Sequence, residues 1–221
     1  MPKAVIFDVD GTLIDSNDQH ARAWQDAFAD FGHAFDLAAI RAQIGKGGDQ
    51  LMPVFLSEDE IEARGEDLEA HRGRILKERY LPQIKGFPDV PALMRRLLDD
   101  GRAIALASSA KGDELRVYKR IAGIEDLVGT ETSSDDADQS KPHPDIFEAA
   151  LDRLGHPPTE EALVVGDTPY DAQAAAKAGL RTIGLLCGGW SEDALREAGC
   201  IAVYEDPADL LRRYEDSPLA A

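Results

Sequence analysis

Short apolar runs set between helical patterns constrain this chain more than any other feature of its sequence. Ala4–Phe7, Ala103–Ala107, Ala162–Val165, Thr182–Leu186 and Ile201–Tyr204 are rich in Val, Ile and Leu. An apolar run of four or five residues fits a strand covered on both faces, the usual condition of a parallel sheet. Helical spacing lies between the runs: Leu115, Tyr118 and Ile121 fall within Gly112–Ala122, and the Ala-rich stretch Ala172–Ala178 is closed by Gly179. Strands alternating with helices predict an α/β fold built on a doubly wound parallel sheet.

The alternation fails once. From Ser16 to Gly86 only helical patterns occur, such as Trp24, Phe28 and Phe31, then Leu68, Ile75 and Leu76. Roughly seventy residues are too many for one crossover between neighbouring strands. The expectation is a helical domain, residues 16–86, inserted into an α/β core of residues 1–15 and 87–221. Pro82, Gly86 and Pro88 suit a hinge at its exit. The last ten residues or so, with Glu215, Asp216 and Pro218, read as a frayed tail.

Charge narrows the partners. Forty-two acidic against 24 basic residues leave a formal net charge of −18, a field that repels phosphate backbones and anionic headgroups. Nucleic acid and membrane surfaces are therefore excluded as expected partners. Cys187 and Cys200 form no disulfide framework, and the N-terminal apolar run is far too short for a signal peptide. Both point to a cytoplasmic protein with two structural cysteines.

The chemistry concentrates at strand ends. The first run is followed by Asp8-Val9-Asp10-Gly11-Thr12, and a period of two sends Asp8 and Asp10 to one side. In open α/β sheets that end of a strand is where ligands bind. A second pair, Asp167 and Asp171, follows Ala162–Val165. Asp171 read alone is equally well a helix-capping residue. Four carboxylates converging on one edge would repel one another and imply a hard cation, with Mg²⁺ and a phosphate the fitting pair. Ser108, with Ser109 beside it, ends another run and could hold a phosphoryl group. Lys141 could offset the charge of a carboxylate and its phosphate. The acidic residues Glu131, Asp135, Asp136 and Asp138 read as a solvated loop.

In this order the elements resemble the haloacid dehalogenase superfamily of phosphohydrolases. Asp8-Val9-Asp10-Gly11-Thr12 is similar to its first motif, Ser108 to its second, Lys141 to its third, and Asp167 with Asp171 to its fourth. The inserted helical segment resembles the family's small cap. The resemblance implies that Asp8 is a nucleophile that becomes an aspartyl-phosphate, and that Asp10 is the general acid and then the base. It implies that Ser108 and Lys141 bind the phosphoryl group, and that Mg²⁺ sits on Asp8, the Asp10 main-chain carbonyl and Asp167, with Asp171 nearby. The cap would choose the substrate. His20 lies just past the hinge, four residues before Trp24, and reads equally as a cap-core residue. Lys46 and Gln50 lie in Ile44-Gly45-Lys46-Gly47-Gly48-Asp49-Gln50, a loop similar to the family's specificity loop.

The expected activity is hydrolysis of a small phosphomonoester, of the phosphoglycolate or sugar phosphate type. A β-phosphoglucomutase-type isomerase is the alternative, weakened because neutral Gln50 stands where that branch carries an arginine. A phosphoryl-accepting signalling module is the alternative of another class, disfavoured by the insertion and by Asp10. Oligomeric state and natural substrate are left open.

Overall fold

The computed structural model describes residues 2–220. Strand β1 (Ala4–Phe7) is buried along its whole length. After a short ribbon strand β2 (Ile14–Asp15) the chain enters helices α1 (Asn17–Asp30), α2 (Leu37–Arg41), α3 (Gly48–Leu51) and α4 (Glu58–Ile75). It returns through β3 (Lys85–Gly86), which pairs antiparallel with β2. The two connections to the helical segment are thus tied to each other by backbone hydrogen bonds.

The remaining elements are α5 (Val90–Asp99), β4 (Ala103–Ala107), α6 (Gly112–Ile121), β5 (Thr130–Thr132), α7 (Asp145–Arg153), β6 (Ala162–Gly166), α8 (Pro169–Lys177), β7 (Arg181–Leu185), α9 (Glu192–Glu197), β8 (Cys200–Tyr204) and α10 (Pro207–Arg212). Six strands form one parallel sheet in the order β5-β4-β1-β6-β7-β8. The predicted doubly wound sheet is therefore present. Connections run one way from β1 and the other way from β6, so the switch point lies between these two strands.

Side chains alternate across the sheet and build two separate layers of core. Val5, Phe7, Leu106 and Val165 face α5, α6 and α10 through Leu93, Leu97, Leu115, Tyr118 and Leu210. Ile6, Ala105, Ala107 and Val164 face α7 and α8 through Phe147, Ala150, Ala174 and Ala175. The helical segment has a core of its own, built on Trp24, Phe28, Ile40, Leu51 and Leu68.

Three sequence readings need correction. The C-terminal residues are not frayed. Tyr214 and Leu219 are buried in the main core, and the buried Arg102 guanidinium donates to the Leu219 carbonyl at 3.0 Å and to the Pro2 carbonyl, fastening both ends of the chain. An arginine with carbonyl acceptors can be buried where polar tail composition alone signals exposure. Strand β5, Thr130–Thr132, went unnoticed because an edge strand of polar residues carries no apolar run. Nor is the neighbouring acidic stretch merely solvated: Glu131 accepts from Lys119 at 2.5 Å, and Asp136 closes a capping box with Ser133 and pairs with Arg153. Asp135 and Asp138 remain exposed.

Candidate active site

Asp8 directly follows β1 and Asp167 directly follows β6, so the switch point of the sheet brings together two carboxylates that are distant in sequence. Asp8, Asp167 and Asp171 are all buried, each offering an oxygen within 4.8 Å of the others'. Lys141 is also buried, and its Nζ lies 2.5 Å from Asp8 Oδ1 and 2.8 Å from Asp171 Oδ1, with the Ala107 carbonyl at 3.2 Å. One ammonium thus faces a cluster of three carboxylates.

The electrostatic consequence follows from burial. Desolvation pushes the Asp8 carboxyl up to about 7 even though Lys141 pulls it down. Burial, with the Asp171 and Asp8 charges beside it, holds Asp167 well above the carboxylate range. Lys141 is held above the usual lysine value: burial opposes its charge, and the Asp171 and Asp8 carboxylates outweigh that cost.

Asp171 plays both parts that its sequence position allowed. It is the third residue of α8, accepting from the Thr168 backbone N–H at 3.0 Å in a reciprocal capping box, and its other oxygen meets Lys141. The expectation of four converging carboxylates is corrected to three. The Asp10 side chain lines a cavity that Asp8 also lines, and it accepts from Ser16 Oγ at 2.6 Å and lies 2.9 Å from His20 Nε2. Burial opposes ionisation of Asp10, yet the His20 ring and the Ser16 hydroxyl hold its carboxyl below the ordinary range.

Gly11, at φ 78°, makes the tight turn between the two aspartates and the helical segment, and any Cβ there would strike Asn17 and Asp167. Thr12 Oγ1 lies 3.2 Å from Asp8 Oδ2 and 3.0 Å from Asp167 Oδ1. Ser108 is fully buried at the end of β4, and its Oγ accepts the Ala110 N–H at 3.1 Å, so the hydroxyl serves the turn here. Its neighbour Ser109 lines the cavity.

The haloacid dehalogenase-like hydrolase family matches residues 2–179. The chain belongs to the haloacid dehalogenase-like hydrolases. It is 31% identical over 205 residues to the probable phosphatase IndB of Dickeya dadantii, covering 90% of this chain and 87% of that one. It is 30% identical to the phosphoglycolate phosphatase of Rhodospirillum rubrum, over 95% of this chain and 90% of the relative. Among solved structures, a hydrolase from Pseudomonas syringae superimposes with a TM-score of 0.89 at 29% identity, covering 97% of this chain and 98% of the other.

The cavity of this hydrolase has an open volume of about 580 Å³ between the strand ends and the helical segment. His20 is not a residue of the helical core: its ring is turned to Asp10, and the Tyr118 hydroxyl of α6 lies 3.4 Å from the same nitrogen. Lys46 lines the cavity, donating to Gln43 Oε1 at 2.6 Å with its ammonium 4.7 Å from the centre of the Tyr170 ring. Gln50 does not fit its expected role. Its amide donates to Asp49 Oδ2 at 3.0 Å and it is not among the cavity-lining residues, because Gly45, Gly47 and Gly48 bring the loop's own backbone against the cavity. Two lining residues that sequence reasoning missed, Glu69 and Arg72, come from α4. Both are charged residues three apart on a long polar helix, and nothing local distinguishes them from its solvated face. Among the described residues no helix is long and apolar enough to cross a membrane.

Proposed function

We propose that this hydrolase is a Mg²⁺-dependent phosphatase that removes the phosphoryl group from a small phosphomonoester through a covalent intermediate on Asp8. The observation that carries the reading is Asp8 itself, buried at the switch point between Lys141 and Asp167, with Asp10 lining the same cavity. The phosphatases of Dickeya and Rhodospirillum named above support it.

The donor set fits the ion. Three buried carboxylates with one ammonium between them leave excess negative charge, and all-oxygen donors suit Mg²⁺. Asp8 and Asp167 would hold it, with the Asp10 carbonyl and Asp171 contributing nearby. When bound, it would offset the charge that a carboxylate meets on approaching a phosphate dianion.

The protein's own groups do the rest. Asp8 attacks phosphorus while Lys141 neutralises it and a phosphoryl oxygen. The leaving oxygen needs a proton, which Asp10 supplies, and the His20 ring, 2.9 Å from Asp10 Oδ1, orients that carboxyl and completes the proton path. Asp10 then takes a proton from water for hydrolysis of the intermediate. Ser108, Ser109 and backbone N–H groups at the end of β4 would receive the phosphoryl oxygens. Residues 16–86 would act as the cap, with Lys46, Arg72 and Glu69 meeting the leaving group.

The test is phosphate release from a panel of small phosphomonoesters that includes phosphoglycolate and sugar phosphates. Many turnovers per enzyme are expected with Mg²⁺ and none in excess chelator, with recovery on readdition. Full activity in chelator, or labelling that stops at one equivalent, would overturn the reading. His20→Ala separates proton supply from simple shape recognition. Its loss of kcat/KM should be on the order of 10- to 100-fold for sugar phosphates, whose alkoxide needs a proton, and slight for p-nitrophenyl phosphate. Equal losses on both would remove His20 from the proton path.

A further inference from the structure

We propose that Asn17, the first residue of α1, is a positioning residue for Asp167 and thereby sets the affinity of the site for its divalent ion. The inference rests on the Mg²⁺ reading above.

Asn17 is 2% exposed, and its amide nitrogen is held by two acceptors. Nδ2 donates to Asp167 Oδ2 at 2.8 Å and to the Gly188 carbonyl at 3.2 Å. The Gly188 carbonyl is an acceptor only, so the amide nitrogen must face it; flipping the amide would set oxygen against that carbonyl. Among the described residues Asp167 has no equivalent support elsewhere. Thr12 Oγ1 reaches its other oxygen, but that hydroxyl has a single hydrogen and Asp8 Oδ2 competes for it. Asp167 Oδ2 has Asn17 as its donor, and without it a fully buried carboxyl oxygen would lose its partner.

The start of α1 shows the same priority. Ser16 and Asn17 are residues that ordinarily cap a helix, yet no side-chain hydrogen bond caps α1. The Ser16 hydroxyl goes to Asp10 and the Asn17 amide to Asp167. Asn17 Oδ1 remains a buried acceptor without a donor among the described residues. A buried acceptor of this kind suits a water of the ion's hydration shell as its donor, since Mg²⁺ keeps several of its waters. Residues that orient a metal ligand typically alter affinity by about 10- to 100-fold when removed.

The experiment compares the full-length protein with Asn17→Leu, of similar volume but without a donor, and Asn17→Ala. Calorimetric titration with Mg²⁺ alone should show binding weakened about 10-fold or more in both. The Mg²⁺ concentration for half-activation should rise in parallel, while kcat at saturating Mg²⁺ recovers to within a few-fold. Unchanged Mg²⁺ affinity, or a fall in kcat that no amount of Mg²⁺ restores, overturns the proposal. A measurement without mutation guards against a variant that fails to fold: the Asn17 side-chain amide resonance of the wild-type protein should shift on Mg²⁺ addition, and a silent resonance counts against the role. Asp167→Asn separates the two levels of argument. If it leaves Mg²⁺ binding intact, the metal reading itself fails; if it weakens binding and Asn17→Leu does not, only this proposal fails.

Discussion

Asp8→Asn should abolish turnover, with kcat falling by on the order of 10⁴-fold or more, the scale on which loss of a nucleophile is felt. The amide has the shape of the carboxyl but cannot attack phosphorus. The fold should survive. Lys141 keeps Asp171 at 2.8 Å, and burial has already raised the Asp8 carboxyl to about 7, so its ionised form is a strain on the folded state that the neutral amide relieves. Because that pKa is raised, the Asp8 charge costs stability as pH climbs through about 7. The variant's Tm in chelator at pH 8 should therefore equal or exceed that of the wild type. Rapid acid quench of the wild type with labelled substrate should leave phosphate on a peptide containing Asp8, and the variant should carry none. Substantial turnover in Asp8→Asn, or label on another residue, would end the covalent mechanism.

Lys141→Met should damage both activity and stability. Methionine fills much of the same space but leaves the Asp8 and Asp171 carboxylates buried without their shared cation. Removing one partner from a buried ion pair typically costs about 3–5 kcal/mol. Activity should fall by roughly 10²–10³-fold from the lost neutralisation of nucleophile and phosphate alone. The sign of the pH dependence is fixed by the carboxylates. With Lys141 gone, the Asp8 pKa in the fold rises still further above its unfolded value, so the folded variant takes up protons. Its stability deficit, measured by urea unfolding in chelator, should be largest above pH 8 and shrink toward pH 5 as the orphaned Asp8 carboxyl protonates. A deficit that grows on acidification would mean that Lys141 does not neutralise these two groups.

What the sequence determined by itself is what depends on neighbours along the chain. Burial on both faces demands unbroken apolar runs, so four of the six sheet strands were legible almost to the residue, and β7 to within one residue at either end. Asp8, Asp10 and Asp167 are legible because each sits within three residues of the end of such a run, where an open sheet exposes its strand ends. Tertiary structure decided the rest, because sheet order and helix packing join residues that no local pattern relates. Asp8 and Lys141 lie 133 positions apart and meet only because β1 is central and flanked by β4 and β6. His20 could be read equally as a core residue of the helical segment, since one turn of α1 separates it from Trp24; only the turn at Gly11 points its ring at Asp10. Gln50 looked like a specificity residue by counting from Lys46, yet a glycine-rich loop placed backbone where a side chain was expected. Asn17 carries no local signal of its role, because its partner Asp167 is 150 residues away. Local sequence encodes which strands form and what stands at their ends, because burial and periodicity act over a few residues. Which of those ends face one another is set by the order of the strands, a property of the whole sheet.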